Sequence, residues 1–207
     1  MLTKIGEENV TPEGFELGVV NKHFISESGK KVDKQVLSSP DWVVAIVYDM
    51  DLSIHCVKQF RAGVDAPLIE FPEGKVEKGE SPLEAIIREL KEELGLCSED
   101  ILSIGKLLEG NPCSAYFGNT VHLFKVIVKS GLHLKANNAN VPNEDDIEVV
   151  TINGDEVNEA MNSPLQNMYM KLLWSIVTPE LSQIHNEKMQ MQQRQRAMMQ
   201  MQQPMPV

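Results

Sequence analysis

The sequence has few of the features that mark secreted, membrane-spanning or disulfide-stabilised proteins. Its 207 residues include only three cysteines, an odd number without a C-x-x-C pair. This usage is typical of reduced thiols in a reducing compartment rather than of a disulfide framework. No apolar run approaches the length needed to cross a bilayer, and the N-terminus has no signal-peptide pattern. We therefore expect a soluble cytoplasmic protein that has no membrane partner.

Basic residues are also scarce. The chain has 19 Lys and Arg residues against 30 Asp and Glu residues, which gives a formal net charge of −11. Such a charge disfavours nucleic acid as a partner, because the phosphate backbone is itself anionic. It also repels a phosphorylated small molecule, so that local Arg side chains or bound metal must offset the repulsion. The length suits one domain with appendages.

The most informative stretch covers residues 74–96. Ser81, Pro82 and Glu84 predict a helix start, because they place a cap, a first-turn proline and a capping-box carboxylate at the required spacing. Gly95 predicts the end of that helix. At about 100° per residue the apolar positions fall on one side. They are Leu83, Ile86, Ile87, Leu90 and Leu94.

Three carboxylates cluster beside this apolar side. Glu89, Glu92 and Glu93 lie at helical spacing, where like charges cost a few tenths of a kcal/mol per pair. One interpretation is a solvated acidic face. The loop that holds Gly74 and Gly79 directly before the helix favours another, a carboxylate cage for hard divalent cations that a flexible backbone approaches.

The same stretch carries a family resemblance. The Nudix signature is G-x5-E-x7-R-E-U-x-E-E-x-G-U, where U is aliphatic, and the chain resembles the Nudix hydrolase family at every fixed position. The matching residues are Gly74, Glu80, Arg88, Glu89, Leu90, Glu92, Glu93, Gly95 and Leu96. The resemblance implies an α+β fold, an α/β/α sandwich around a mixed sheet.

Three regions are expected along the chain. Residues 1–40 form an N-terminal β region, 41–178 the Nudix hydrolase domain, and 179–207 a Met/Gln-rich tail that is helical or disordered. In the first region we expect residues 1–14 to be loosely ordered, followed by a small antiparallel hairpin over 15–37.

Further strands and helices are expected in the second and third regions. Strands are predicted at 42–48, 52–60, 68–71, 101–108, 121–128 and 147–152, and helices near 156–161, from Ser163-Pro164 and from Thr178-Pro179-Glu180.

Membership of this family would give the helix carboxylates a role in metal binding. Carried over by position, Glu89, Glu92 and Glu93 would bind Mg²⁺ or Mn²⁺, and the backbone carbonyl of Glu73 would add a further ligand. Arg88 can reach Glu92 one turn away, which suggests that it orients the carboxylates. The metals would neutralise a diphosphate and lower the pKa of a bound water.

Residues outside the signature resemble the ADP-ribose pyrophosphatase branch of the family. The similar segments are Lys58-Gln59-Phe60-Arg61 and Glu70-Phe71-Pro72-Glu73-Gly74-Lys75, followed by Pro112. The implied reaction cleaves ADP-ribose or a related nucleoside diphosphate sugar to AMP, or another nucleoside monophosphate, and a sugar phosphate.

Three of these residues are candidates for substrate binding. Arg61 would bind a substrate phosphate, unless it is a surface residue at a strand end. Glu70 has an equally good structural alternative, and Pro112 lies in the loop after the signature. Glu73 stands where the branch usually has Ala, and the loop around Pro112 lacks the branch's Glu. The sugar specificity therefore stays open.

The branch also implies a base and an assembly. The acidic segment 143–149 resembles its mobile loop, with Glu144 as the candidate general base, Asp145 as the second choice, and a solvated loop as the alternative. Members of the branch are typically homodimers that pack their N-terminal strands together. A second functional class, a non-catalytic Nudix-type binder or sensor of nucleotide sugars, is disfavoured by the intact signature.

Overall fold

The N-terminal region forms a separate three-stranded antiparallel sheet. In this computed structural model, which describes residues 1–14, 17–136 and 147–201, its strands are β1 (Leu2–Asn9), β2 (Gly18–Ser26) and β3 (Lys31–Ser38). The expectation that residues 1–14 are loosely ordered is wrong, because β1 pairs with β2 from Leu2 to Asn9. This edge strand is held by backbone pairing while most of its side chains are exposed, so it has no apolar alternation to detect.

A seven-stranded mixed sheet forms the centre of the main domain. Its strands are β4 (Trp42–Asp49), β5 (Ile54–Arg61), β6 (Ala66–Glu70), β7 (Glu73–Lys75), β8 (Ile101–Gly110), β9 (Val121–Val128) and β10 (Glu148–Ile152). The order is β10-β5-β4-β9-β8, with β6 beside β5 and β7 beside β4. β4 and β9 pair in parallel and the other neighbours are antiparallel. The continuous apolar run of β4 is buried on both faces, as such a central strand requires.

Helices cover both faces of this sheet. They are α1 (Pro82–Glu93), α2 (Gly154–Asn162) and α3 (Met168–Met201). α1 packs on one face through Ile86, Leu90 and the adjoining Leu94. α2 and α3 pack on the other, so the predicted α/β/α sandwich is confirmed. None of the helices in the described part of the chain is both long enough and apolar enough to cross a membrane.

Two helices were predicted in the last part of the chain, and the structure has one helix, α3, in their place. It begins at Met168 rather than at Ser163-Pro164, because the Asn167 side chain accepts the backbone N–H of Met170 and caps it there. It then continues through Pro179, so a new helix at Thr178–Glu180 is wrong. Val177 and Leu181 are buried on either side of the proline, and this packing outweighs the lost backbone hydrogen bond.

Candidate active site

Helix α1 is built by the local signals that its sequence predicts. The Glu84 N–H donates to Ser81 Oγ at 3.3 Å, and the Ser81 N–H donates to Glu84 Oε2 at 2.8 Å, which completes the capping box. Gly95 has φ +70, the left-handed conformation that ends a helix at low cost. Leu83 lies on the apolar side of the helix but is 46% exposed in the first turn.

Arg88 organises the carboxylates of the candidate site. Its Nε donates to Glu80 Oε1 at 3.0 Å and its Nη2 to Glu80 Oε2 at 3.1 Å. Its Nη1 donates to both Glu89 Oε1 at 2.8 Å and Glu92 Oε2 at 3.1 Å, and Nη2 also reaches the Lys75 carbonyl at 2.8 Å. The hydrogen bond to Glu80 is the largest cause that raises the pKa of Arg88. This guanidinium therefore stays charged and fixes two of the predicted ligands.

The β7 strand approaches α1 closely on the same side. The Glu73 N–H donates to Glu93 Oε2 at 3.1 Å, and both residues are buried. At Gly74 an added Cβ would lie 1.8 Å from Glu89 Oε1, so only glycine leaves room for that carboxylate. The strand thus places the Glu73 backbone next to Glu93, and Gly74 next to Glu89, which are two of the three predicted ligands of α1.

The donor chemistry of this cleft suits a hard divalent cation. Carboxylate oxygens are the ligands that Mg²⁺ and Mn²⁺ prefer. Nη1 of Arg88 already stands between Glu89 and Glu92 as a positive group. Among the described residues, no three such side chains converge closely enough to hold an ion as they stand. The fit therefore rests on the chemical type of the donors that line one cleft, and binding requires the carboxylates to move from these positions.

The cleft is open and has a volume of about 740 Å³. Its lining brings together six of the predicted site residues, with Gly74 and Lys75 of β7 and Lys78 of the loop between β7 and α1. The six are Arg61, Glu73, Arg88, Glu89, Glu92 and Glu93. Glu70 and Pro112 are not part of this lining. Pro112 lies instead in the loop between β8 and β9.

A buried ionic cluster adjoins the cleft at the end of β5. Arg61 Nε donates to Glu70 Oε2 at 2.6 Å, and Nη2 donates to Glu73 Oε1 at 2.7 Å. Glu70 is only 2% exposed, so its carboxylate faces Arg61 and not the open cleft. Burial raises the pKa of Glu73 to about 7, although the Arg61 charge opposes this.

Tyr169 completes this cluster and has no counterpart among the predicted residues. Its hydroxyl donates to Glu73 Oε2 at 3.1 Å from the first turn of α3. Burial, followed by the nearby Glu73 carboxylate, raises the pKa of the phenol, which therefore stays protonated as a donor. No local pattern indicates this contact, because it joins two residues that only the tertiary fold brings together.

The candidate base lies outside the described residues. Glu144 and Asp145 fall within 137–146.

The loop that contains Pro112 contacts the N-terminal sheet, because the Leu37 N–H donates to the Tyr116 carbonyl at 2.6 Å. The loop is thus placed between that sheet and the main domain.

Comparison with known proteins agrees with this geometry. The model of the NUDIX domain matches residues 39–172. The chain is 27% identical over 129 residues to a methanol dehydrogenase activator of Bacillus methanolicus, covering 62% of this chain and 66% of that protein. It is 28% identical over 107 residues to an ADP-ribose pyrophosphatase of Bacillus subtilis, covering 50% and 58%. The chain thus spans less than two thirds of the length of these relatives.

Two further likenesses bear on the family and the fold. An RNA pyrophosphohydrolase of Campylobacter jejuni subsp. doylei is 30% identical over 114 residues, covering 50% of this chain and 70% of that protein. A crystal structure of an ADP compounds hydrolase superposes with a TM-score of 0.66 at 16% identity, covering 87% of this chain and 94% of the other, which shows a shared fold. Because the family model matches residues 39–172, which are more than half of the chain, this protein belongs to the NUDIX domain family.

Proposed function

We propose that the protein hydrolyses the diphosphate bond of ADP-ribose or a related nucleoside diphosphate sugar, in a reaction that depends on Mg²⁺ or Mn²⁺. The products are AMP, or another nucleoside monophosphate, and a sugar phosphate. The observation that carries the proposal is the arrangement of the signature carboxylates. Arg88 binds Glu80, Glu89 and Glu92. Glu93 lines the same open cleft as Glu89 and Glu92. The similarity to an ADP-ribose pyrophosphatase supports the choice of substrate class.

The charged residues of the cleft would have different roles in the reaction. Glu89, Glu92 and Glu93 would hold the ion, with the Glu73 backbone beside them. When bound, the ion neutralises the diphosphate and lowers the pKa of a coordinated water. Arg88 restrains the two carboxylates that it bridges, which reduces the cost of ordering them on binding.

Arg61 lines the same cleft and is our candidate for a contact to a substrate phosphate. Two carboxylates already hold its guanidinium, so a phosphate would bind to donors that are oriented in advance. Glu144 is the proposed base that takes the proton of the attacking water. Pro112 would approach the substrate only from the loop between β8 and β9.

Two finer properties complete the proposal. We expect a homodimer that packs the N-terminal sheets together, because that sheet meets the main domain through a narrow bridge at Leu37 and Phe117 and exposes Leu2 and Ile5. We expect a cytoplasmic location, since all three cysteines are free thiols.

One assay tests the proposed substrate class. Purified protein is incubated with Mg²⁺ and, in separate reactions, ADP-ribose, other nucleoside diphosphate sugars, dinucleotides and RNA with a 5′-triphosphate end. Products are identified by chromatography. We expect AMP and ribose 5-phosphate from ADP-ribose and little release from RNA, because the acidic surface repels a polyanion. Preferential release of pyrophosphate from RNA would contradict the proposal.

A further inference from the structure

The start of the C-terminal helix holds the strand segment that borders the cleft. Residues 166–170 contact the segment 69–73 at every second residue, namely Ile69, Phe71 and Glu73. Three hydrogen bonds join them, from Gln166 Nε2 to the Ile69 carbonyl at 2.7 Å, from the Phe71 N–H to Met170 Sδ at 3.2 Å, and from Tyr169 Oη to Glu73 Oε2 at 3.1 Å. Only the third of them ends on a side chain that itself lines the cleft.

The Glu73 carboxylate connects this contact with Arg61. One of its oxygens accepts from Tyr169 and the other accepts from Arg61 Nη2 at 2.7 Å. Glu73 is only 7% exposed, and hydrogen bonds to charged groups are strong where water is excluded. Tyr169 therefore limits the positions that Glu73 can adopt, and Glu73 in turn limits those of the guanidinium.

We infer that Tyr169 is a positioning residue for substrate binding, acting through Glu73 on Arg61. The inference rests on the proposed hydrolysis of a nucleoside diphosphate sugar, in which Arg61 contacts a phosphate. Tyr169 touches no reacting atom, so its loss changes substrate affinity and leaves the chemical step intact. The start of α3 is thus part of the substrate site, although it lies far from the signature in sequence.

Tyr48 provides a matched control in the same chain. Its hydroxyl donates to Glu180 Oε1 at 2.8 Å and, like Tyr169, joins the sheet region to α3 through a phenol and a glutamate. Tyr48 does not line the candidate cleft. Replacing either tyrosine with phenylalanine removes the same chemical group, and only one of the two replacements disturbs Arg61.

Steady-state kinetics with ADP-ribose separate a positioning role from a merely structural one. We expect Tyr169→Phe to raise KM about 10-fold, the size associated with one hydrogen bond to a charged group, with kcat changed less than about 2-fold. Tyr48→Phe should leave both constants unchanged. In an Arg61→Ala background, Tyr169→Phe should add less than about 2-fold to KM, because the group through which it acts is gone.

Two kinetic results would overturn the inference. One is a KM for Tyr169→Phe equal to that of Tyr48→Phe. The other is an undiminished effect of Tyr169→Phe when Arg61 is absent. If the wild-type protein hydrolyses no diphosphate, the proposed function is wrong, and the positioning role of Tyr169 is then tested by a measurement that does not require turnover.

A second measurement is independent of turnover. The Arg61 Nε–H resonance of ¹⁵N-labelled protein, assigned with Arg61→Lys, should exchange faster with solvent in Tyr169→Phe than in Tyr48→Phe, because its guanidinium is less restrained. Equal exchange in the two variants would refute the positioning role, whatever the substrate.

Discussion

Substituting Gly74 by alanine tests whether the position of Glu89 matters for catalysis. The new Cβ would lie 1.8 Å from Glu89 Oε1, whereas ordinary contact begins near 3.4 Å, so the oxygen must move by about 1.6 Å. Its hydrogen bond to Arg88 Nη1 is only 2.8 Å long and cannot survive such a shift without rearrangement. Displacement of a catalytic group by 1 Å costs about 100-fold in rate, so we expect kcat to fall about 100-fold or more.

The assay is AMP formation from ADP-ribose over a range of Mg²⁺ concentrations, with thermal unfolding measured alongside. Gly74 is not in the left-handed region, so alanine fits the backbone and the melting temperature should change little. Gly105→Ala is the control, because an added Cβ there meets no atom within 4 Å. A kcat for Gly74→Ala within about 3-fold of that for Gly105→Ala would show that catalysis does not depend on the position of Glu89.

Three further predictions concern metal affinity, stability and pH. Arg88→Gln leaves Glu89 and Glu92 without their shared hydrogen-bond donor. The Mg²⁺ concentration that gives half-maximal activity should therefore rise about 10- to 100-fold. An unchanged Mg²⁺ titration of activity would contradict this prediction. Leu90→Ala in the core should lower the free energy of unfolding by about 2–5 kcal/mol in urea, against about 0.5 kcal/mol for exposed Leu83→Ala. The pKa of Glu73 is raised to about 7 from 4.5, so the native state binds more protons and the free energy of unfolding should fall as pH rises from 4.5 to 7, by up to about 3 kcal/mol. In metal-free urea unfolding, Glu73→Gln should not show this loss, and parallel pH profiles of the two proteins would contradict the cause.

Local signals were sufficient to predict the helix that carries the signature. The cap at Ser81, the left-handed Gly95 and the contact from Arg88 to Glu92 all involve residues within one or two turns of each other. Interactions of this range depend on spacing alone, and the sequence contains that spacing. The buried run of β4 was predictable for a similar reason, because few other structures accommodate so many consecutive apolar side chains.

Tertiary packing decided what the sequence did not reveal. Tyr169 reaches Glu73 only because α3 docks on the sheet, and nothing near either residue in the chain indicates the contact. The course of α3 through Pro179 likewise depends on the burial of Val177 and Leu181, which outweighs the intrinsic tendency of proline to end a helix. β1 was missed because an exposed edge strand needs backbone partners and no apolar pattern.

The role of Glu70 shows how a motif can be correct in position and still open in function. The sequence allowed either a substrate contact or a structural role. In the fold its carboxylate is buried against Arg61 at 2.6 Å and lies outside the lining of the cleft. The two roles differ only in the direction of the Glu70 side chain. The sequence of a strand does not reveal which neighbours the side chains at its end contact in the fold.

The proposed metal site is tested most directly by replacing one predicted ligand with its isosteric amide. Glu93→Gln keeps the size of a buried side chain that accepts the Glu73 N–H, and it removes the charge needed to hold a divalent cation. With Mg²⁺ and ADP-ribose, we expect AMP release by the wild-type protein and at least about 1,000-fold slower release by Glu93→Gln. The exposed control Glu99→Gln should keep full activity. Near wild-type turnover by a folded Glu93→Gln protein would contradict the assignment of the metal site.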